Sequence, residues 1–265
     1  MAGKWKGYRN YDHFFEVSQL NDFLNEIGEL PLVQGGRNFN YFNIPASLDI
    51  ETSSFYKDEK KYATMYLWGL CINGSSIYGR TWAELEHVIL WVIDFFNISK
   101  KNRMIIYVHN LGYEFQFMRK RIEWHKVFAI KNRRPVYALS EMGIEFRCSY
   151  FLSNFSLAYI GDNLLVNYPV QKAVGDLDYY KVRHYLTPVT KKEIGYQIGD
   201  VQVVCSYIQE KIESDGDISK IPLTNTGYVR EYCRASCFGQ GREHAQKILN
   251  TYRALMKNRD ITAEQ

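Results

Sequence analysis

Between Thr81 and Phe96 the apolar residues Trp82, Leu85, Val88, Ile89, Val92 and Phe96 recur every three to four positions. That spacing places them on one stripe of an α-helix, and Thr81 stands where its side chain can accept from the unpaired N–H groups of the first turn. Upstream the pattern is strand-like. Ala63–Ile72 and Ser76–Gly79 are joined through Asn73-Gly74, a pair that readily takes the positive φ of a tight hairpin turn. Asn43–Glu51 reads as a strand ending in an acidic pair. Arg103–Val108, rich in β-branched residues, reads as a buried strand, and Leu111–Ile122 as a helix. Shorter strands are predicted at Lys126–Ile130, Val136–Leu139 and Ile144–Cys148, followed by a short helix over Phe155–Asn163. Thr190–Glu213 is a long helix, opened by the capping-box spacing of Thr190 and Glu193, and Ser214-Asp215-Gly216-Asp217 breaks the chain after it. Two more helices are predicted, Thr224–Ser236 and Arg242–Lys257. Residues 1–43 are aromatic and charged with weak periodicity, apart from a short helix near Val17–Ile27. There is no internal repeat. These elements make a mixed α/β sheet with helices packed on it.

Composition narrows this little. The chain has 265 residues, 46% hydrophobic and 23% charged, ample for a buried core. Aromatic residues reach 15%, which suits core filling and base stacking alike. A net charge of +4 does not by itself identify a nucleic-acid partner, but the charge is unevenly placed. Ile221–Arg259 carries seven Lys/Arg against two Glu, and Arg119–Arg134, also basic, follows the Glu114 segment and reads as a nucleic-acid contact ahead of the C-terminal one. Arg230, Arg234, Arg242, Lys247, Arg253 and Lys257 on the last helices read as a solvated face that docks a further domain, or as a track for a nucleic-acid strand. Five cysteines without CxxC spacing argue against a disulfide framework and against zinc. Met1–Lys6 has no apolar leader and no stretch is long enough to span a membrane. The expectation is a soluble, cytoplasmic protein with reduced thiols and no membrane partner.

Three acidic fragments change the picture. Asp49 and Glu51 are two apart on a strand, so both side chains leave one face, where they repel unless cations lie between them. Mg²⁺ and Mn²⁺ prefer such hard oxygen ligands, and two ions roughly 4 Å apart can stabilise both the attacking and the leaving oxygen of a phosphoryl displacement. Glu114 follows an apolar strand at a strand-to-helix switch, where α/β sheets place their sites; it also reads as a first-turn glutamate complementing the helix dipole. Tyr196 and Asp200, four apart on a helix, share a face, so Asp200 can complete a metal shell while the Tyr196 hydroxyl orients water. Each fragment alone is common by chance. The three in this order, each on the element its chemistry needs, point to removal of nucleotides from a 3′ end.

The chain resembles the 3′–5′ exonuclease domain of family B DNA polymerases, with its three motifs in order. It is most similar to the protein-primed branch found in small tailed phages. The matching segments are Asp49-Ile50-Glu51-Thr52, then Tyr107-Val108-His109-Asn110-Leu111-Gly112-Tyr113-Glu114, then Tyr196–Asp200. Lys172 ahead of Gly175-Asp176-Leu177-Asp178-Tyr179 matches a further element of that branch. The likeness covers most of residues 44–213 and continues through Pro222–Thr226. It implies an RNase H-like fold of the DEDD exonuclease class, with a mixed sheet flanked by helices and a C-terminal helical extension. It also implies two Mg²⁺ or Mn²⁺ ions on Asp49, Glu51, Glu114 and Asp200, a water positioned by Tyr196 (the DEDDy subtype), and Lys172 beside the scissile phosphate. Thr52, Asn110, Tyr113 and Ser149 match ligands of the single strand; His109 matches the motif histidine or is a packed one. The implied activity is a proofreading exodeoxyribonuclease acting on a single-stranded DNA 3′ end in an infected or lysogenic bacterial host. A polymerase domain or subunit and a terminal protein are the implied partners. Two features depart from the pattern. Glu114 stands where most of the family has Asp, which leaves open an impaired site in a single-strand-binding or docking module. The polymerase motifs are missing, so the chain itself is expected not to polymerise and to be either the front part of a longer polymerase or a split exonuclease subunit. On this view residues 1–43 are an extension of unknown role, 44–213 the exonuclease domain, and 214–265 a basic helical extension leading toward a palm domain.

Overall fold

Alternation along three neighbouring strands builds the core. We analysed a computed structural model that describes residues 13–170, 181–238 and 242–257. Strands β1 (Phe15–Glu16), β2 (Leu32–Gly36) and β3 (Phe39–Phe42), with helix α1 (Leu20–Ile27) among them, precede β4 (Ala46–Lys57). After β4 come β5 (Lys60–Ile72), β6 (Ser75–Gly79), helix α2 (Trp82–Phe95), β7 (Asn102–Val108) and α3 (Leu111–Met118). Then follow β8 (Trp124–Lys131), β9 (Arg134–Ser140), β10 (Ile144–Cys148), the short helices α4 (Ser149–Ser153) and α5 (Leu157–Asn163), and the 25-residue α6 (Lys191–Asp215). The sheet runs β1-β6-β5-β4-β7-β10-β9-β8, with β3 also pairing β7. Its pairings β1–β6, β4–β7, β3–β7 and β7–β10 are parallel and the rest antiparallel.

Ala46, Leu48 and Ile50 of β4, Met104, Ile106 and Val108 of β7, and Ile144 and Phe146 of β10 all point to one face. There they meet Phe23 and Ile27 of α1, Leu85, Val88 and Val92 of α2, and Leu111 of α3. The other face is covered by α6, whose Ile194 and Ile198 pack on Tyr66, Leu67 and Tyr78, and whose Val201 and Cys205 pack on Cys71. Because α6 lies between the sheet and α5, it is buried nearly all round, including Gln197, Asp200 and Gln202. An apolar stripe is therefore a poor description of it.

The local signals behave as their chemistry predicts. Thr81 and Thr190 each form a full capping box, with Glu84 and Glu193. Asn73 and Gly74 both take positive φ (49° and 88°), turning β5 into β6. The larger departures from the sequence expectation concern two boundaries and one hairpin. The strand carrying Asp49 continues to Lys57 because it pairs with β5 along its whole length, so the acidic pair lies mid-strand. Helix α3 stops at Met118, and the β2–β3 hairpin was hidden in a stretch without clear alternation.

The chain divides into two compact units, Met1–Leu223 and Thr224–Gln265. The second unit holds α7 (Asn225–Phe238) and α8 (Arg242–Lys257), with Val229, Tyr232, Tyr252 and Leu255 exposed. Cys71, Cys148 and Cys205 are buried and Cys233 and Cys237 exposed, all as free thiols. Among the described residues no helix is long and apolar enough to cross a membrane.

Candidate active site

The inward alternation of Leu48 and Ile50 forces Asp49 and Glu51 onto the α6 face of β4. Ser47 pairs in parallel with Tyr107, so β7 ends level with Leu48 and turns into α3 beside Asp49. Asn110 occupies the N-cap of α3, and Glu114 in its first turn is only 4% exposed. Helix α6, crossing β4 and β5, supplies Asp200 from its buried side. Carboxylate oxygens of Asp49, Glu51 and Asp200 lie within 4.8 Å of one another, and Glu114 is close enough for its charge to act on Asp49. Four acids from three elements thus converge at the C-terminal end of β7.

Two features of the surroundings were not singled out from the sequence. Gln197 of α6 donates its Nε2 to the Asp49 backbone oxygen at 2.8 Å and to the Asp49 carboxylate at 3.0 Å. Gly69 of β5 pairs with Asp49 across the sheet, and a Cβ there would meet Gln197 Cγ at 3.2 Å. Glycine at that position therefore lets the helix come close to the acidic strand. The available signals were a glycine inside an apolar strand and an amide next to Tyr196. Directly after Glu51 the β4–β5 register skips Tyr66, a bulge that re-aims the strand beyond the acidic pair.

The electrostatics are those of a site built for cations. Burial, followed by the charges of Glu114, Asp200 and Glu51, pushes the Asp49 carboxyl well above the usual range, against the opposing Gln197 hydrogen bond. Burial, with the Glu51 charge adding to it, raises Glu114 to about 8. Glu114 Oε2 is buried without a hydrogen-bond partner among the described residues, a costly state that a bound cation would relieve. An all-oxygen set of clustered carboxylates fits Mg²⁺ or Mn²⁺. A stability test follows from the sign of the shifts. Glu114 ionises near 4.5 in the unfolded chain and near 8 in the folded one. Its contribution to stability is present below the lower value and lost as pH rises through the higher one. Divalent metal should offset that loss, so saturating Mn²⁺ should raise Tm by about 5–10 °C at roughly pH 8.5 and by much less at about pH 6. A metal-induced rise of equal size at both pH values would contradict this account of the cluster.

The remaining sequence-predicted residues are placed as follows. Tyr196 is half-buried on α6, one turn before Asp200. The Thr52 and Tyr113 hydroxyls are hydrogen-bonded to each other, joining β4 to the first turn of α3, and the Tyr113 ring is 41% exposed. Asn110 is exposed. Ser149 is buried, its Oγ 3.1 Å from His109 Nδ1, so that pair ties the ends of β7 and β10 together beneath the site. Lys172 lies outside the described residues.

No protein-family model and no curated protein matches the sequence. Among solved structures, phi29 DNA polymerase complexed with primer-template DNA aligns with TM-score 0.50 and 15% identity, over 74% of this chain and 35% of that one. The ternary complex of the same polymerase, with primer-template DNA and incoming nucleotide, aligns with TM-score 0.50 and 15% identity over 65% and 31%. The catalytic core of RRP6 from Trypanosoma brucei aligns with TM-score 0.42 and 11% identity over 80% and 50%. The chain thus spans about a third of the length of the polymerase chains it matches. At these identities the likeness shows the fold, which is RNase H-like, and nothing finer.

Proposed function

We propose that this protein is a metal-dependent 3′–5′ exonuclease that hydrolyses the terminal phosphodiester of single-stranded DNA. The observation that carries this reading is the convergence of Asp49, Glu51, Glu114 and Asp200 from β4, α3 and α6 on one side of the sheet. The RNase H-like fold is compatible with it, and the motifs around these residues resemble those of protein-primed family B polymerases. Asp49, Glu51, Glu114 and Asp200 would hold two divalent ions. Such ions, when bound, activate water as a nucleophile and stabilise charge on the attacking and leaving oxygens.

The chain's own residues do the rest. Gln197 donates its Nε2 to one Asp49 carboxylate oxygen and so would hold the carboxylate in one orientation for metal binding. The Tyr196 hydroxyl orients the attacking water from the turn that carries Asp200. The half-exposed Tyr113 ring, held by its hydroxyl against Thr52, offers a stacking surface for the terminal base. Base–aromatic stacking contributes about 1–3 kcal/mol and accepts any base, as an exonuclease requires. Asn110, exposed at the start of α3, would contact the strand near its end, while Ser149, buried against His109, would act only by holding that ring, and Lys172 would neutralise charge at the scissile phosphate. Residues 44–213, with the preceding α1 and β1–β3 that join the same core and sheet, would form the exonuclease domain, and the helices after it an extension toward a polymerase partner.

Incubation of a 5′-labelled oligonucleotide with Mg²⁺ or Mn²⁺ tests this directly. A ladder shortened one nucleotide at a time is expected, with nucleoside 5′-monophosphates as product. An oligonucleotide that is bound yet stays intact with either metal would defeat the exonuclease assignment and favour a single-strand-binding or docking module.

A further inference from the structure

One of the two basic stretches of this protein runs into an edge of the sheet. From Arg119 to Arg134 there are seven basic residues (Arg119, Lys120, Arg121, Lys126, Lys131, Arg133 and Arg134) against the single acid Glu123. Lys126 and Lys131 lie on β8, the last strand of the sheet, exposed along almost its whole length on both faces. Phe128, 48% exposed, lies against Tyr137 of β9 with ring centroids 6.0 Å apart, and the Lys126 ammonium stands 5.9 Å from the Tyr137 ring. The strand therefore presents cations interleaved with an accessible aromatic surface.

The hairpin also points at the site. Lys131 pairs with Arg134, leaving Asn132 and Arg133 as the turn. That turn rests on the first turn of α3: a Cβ on Gly112 would meet the Arg133 carbonyl oxygen at 3.2 Å and Arg134 Cα at 3.7 Å. Gly112 is the immediate neighbour of Tyr113 and two positions from Glu114. Glycine is what lets the basic tip reach the helix that carries the site. Arg133 itself has φ +62°, a left-handed conformation that glycine or asparagine adopts more readily.

We infer that the β8–β9 hairpin is a second nucleic-acid contact, a basic track for single-stranded DNA or RNA leading to the α3 end of the site. This deepens the proposed function and rests on it for the strand's direction. Arg133 and Arg134 hold phosphates nearest the site, Lys126 and Lys131 hold those further along, and Phe128 with Tyr137 offers a face for one base. Strand β8 spans about 25 Å, enough for on the order of seven nucleotides at helical spacing. Charge favours this occupant over a second copy of the chain, because pairing two β8 edges would bring Lys126 and Lys131 of one copy against the same lysines of the other.

The test is oligonucleotide affinity in the absence of divalent metal, where no cleavage occurs, with a trinucleotide and an oligomer of about twelve nucleotides as probes. Wild-type protein should bind the longer probe far more tightly. The variant carrying Lys126→Gln, Lys131→Gln, Arg133→Gln and Arg134→Gln should lose about ten- to a hundredfold in that affinity, with a salt slope shallower by up to about 3. The single change Arg133→Gly removes a charge while relaxing the turn, so it should fold at least as stably and still weaken binding. Unchanged length dependence and salt slope in both variants would overturn the inference, as would dimerisation of the wild type through β8. Metal-independent binding that depends on the hairpin, in a protein that never cuts DNA, would leave this track standing and remove the exonuclease reading instead. Cleavage with hairpin-independent binding would do the reverse.

Discussion

Replacing Asp49 or Asp200 by alanine is expected to abolish cleavage, with a loss of roughly a thousandfold or more, while the fold survives. The expectation rests on what each carboxylate does in the cluster. The oxygens of Asp49, Glu51 and Asp200 lie within 4.8 Å of one another, and without any one of them the remaining set cannot enclose two ions. A thousandfold corresponds to about 4 kcal/mol of lost transition-state stabilisation, ordinary for a group that holds a catalytic ion. The same substitution should leave the metal-free protein equally or more stable. The Asp49 carboxylate is held against burial and three like charges, and Gln197 keeps its bond to the backbone oxygen of residue 49, so the repulsion relieved outweighs the one side-chain hydrogen bond lost. Tyr196→Phe should slow the reaction less, since it withdraws one hydroxyl and no metal ligand. Kinetics on a labelled oligonucleotide, alongside melting curves without metal, separate these effects. Both aspartate variants cutting DNA at near the wild-type rate would sink the site.

The second large effect is on stability and arises away from the chemistry. On the α6 face of the sheet, Arg147 Nε donates to Glu145 Oε1 at 2.7 Å, and the Tyr41 hydroxyl donates to Glu145 Oε2 at 2.9 Å. Arg147 also reaches the Tyr41 hydroxyl at 3.1 Å and the Ile221 carbonyl at 3.4 Å. Both charged residues are buried, and the group ties β3, β10 and the segment after α6 together. Breaking such a pair from one side leaves an uncompensated buried charge, which costs about 3–5 kcal/mol. Arg147→Met should therefore lower Tm by about 10 °C. Arg103, 3.9 Å from Glu145, should hold the loss toward the lower end. Adding Glu145→Leu to Arg147→Met should recover at least half of it, because the orphaned carboxylate is then gone. A double variant no more stable than Arg147→Met alone would show that the pair is not energetically coupled.

How far the site could be read in advance depended on distance along the chain. Thr81 and Thr190 as helix caps and Asn73-Gly74 as a hairpin turn were legible because their signals lie within a few residues of one another. The strand through Asp49 and Glu51 was recognised but ended too early. Its outer half is exposed and gains its regularity from pairing with β5, which no local pattern records. Gln197 looked like any helical glutamine; only the approach of α6 over Gly69 makes it a partner of Asp49. Likewise Glu145 and Arg147 are two apart on a strand, which says they share a face but not that the face is buried.

By itself the sequence determined which residues could be helix or strand, and which acids, spaced two or four apart, share a face. Backbone periodicity and side-chain chemistry are local properties and need no partner. The tertiary structure alone decided that β4 lies beside β7, that α6 crosses above both, and that a basic turn reaches Gly112. Those facts turn separated carboxylates into one cluster and an ordinary amide into its support. They depend on contacts between residues 21 (Gly112 and Arg133), 60 (Ser47 and Tyr107) and 148 (Asp49 and Gln197) positions apart, which no local spacing along the chain records.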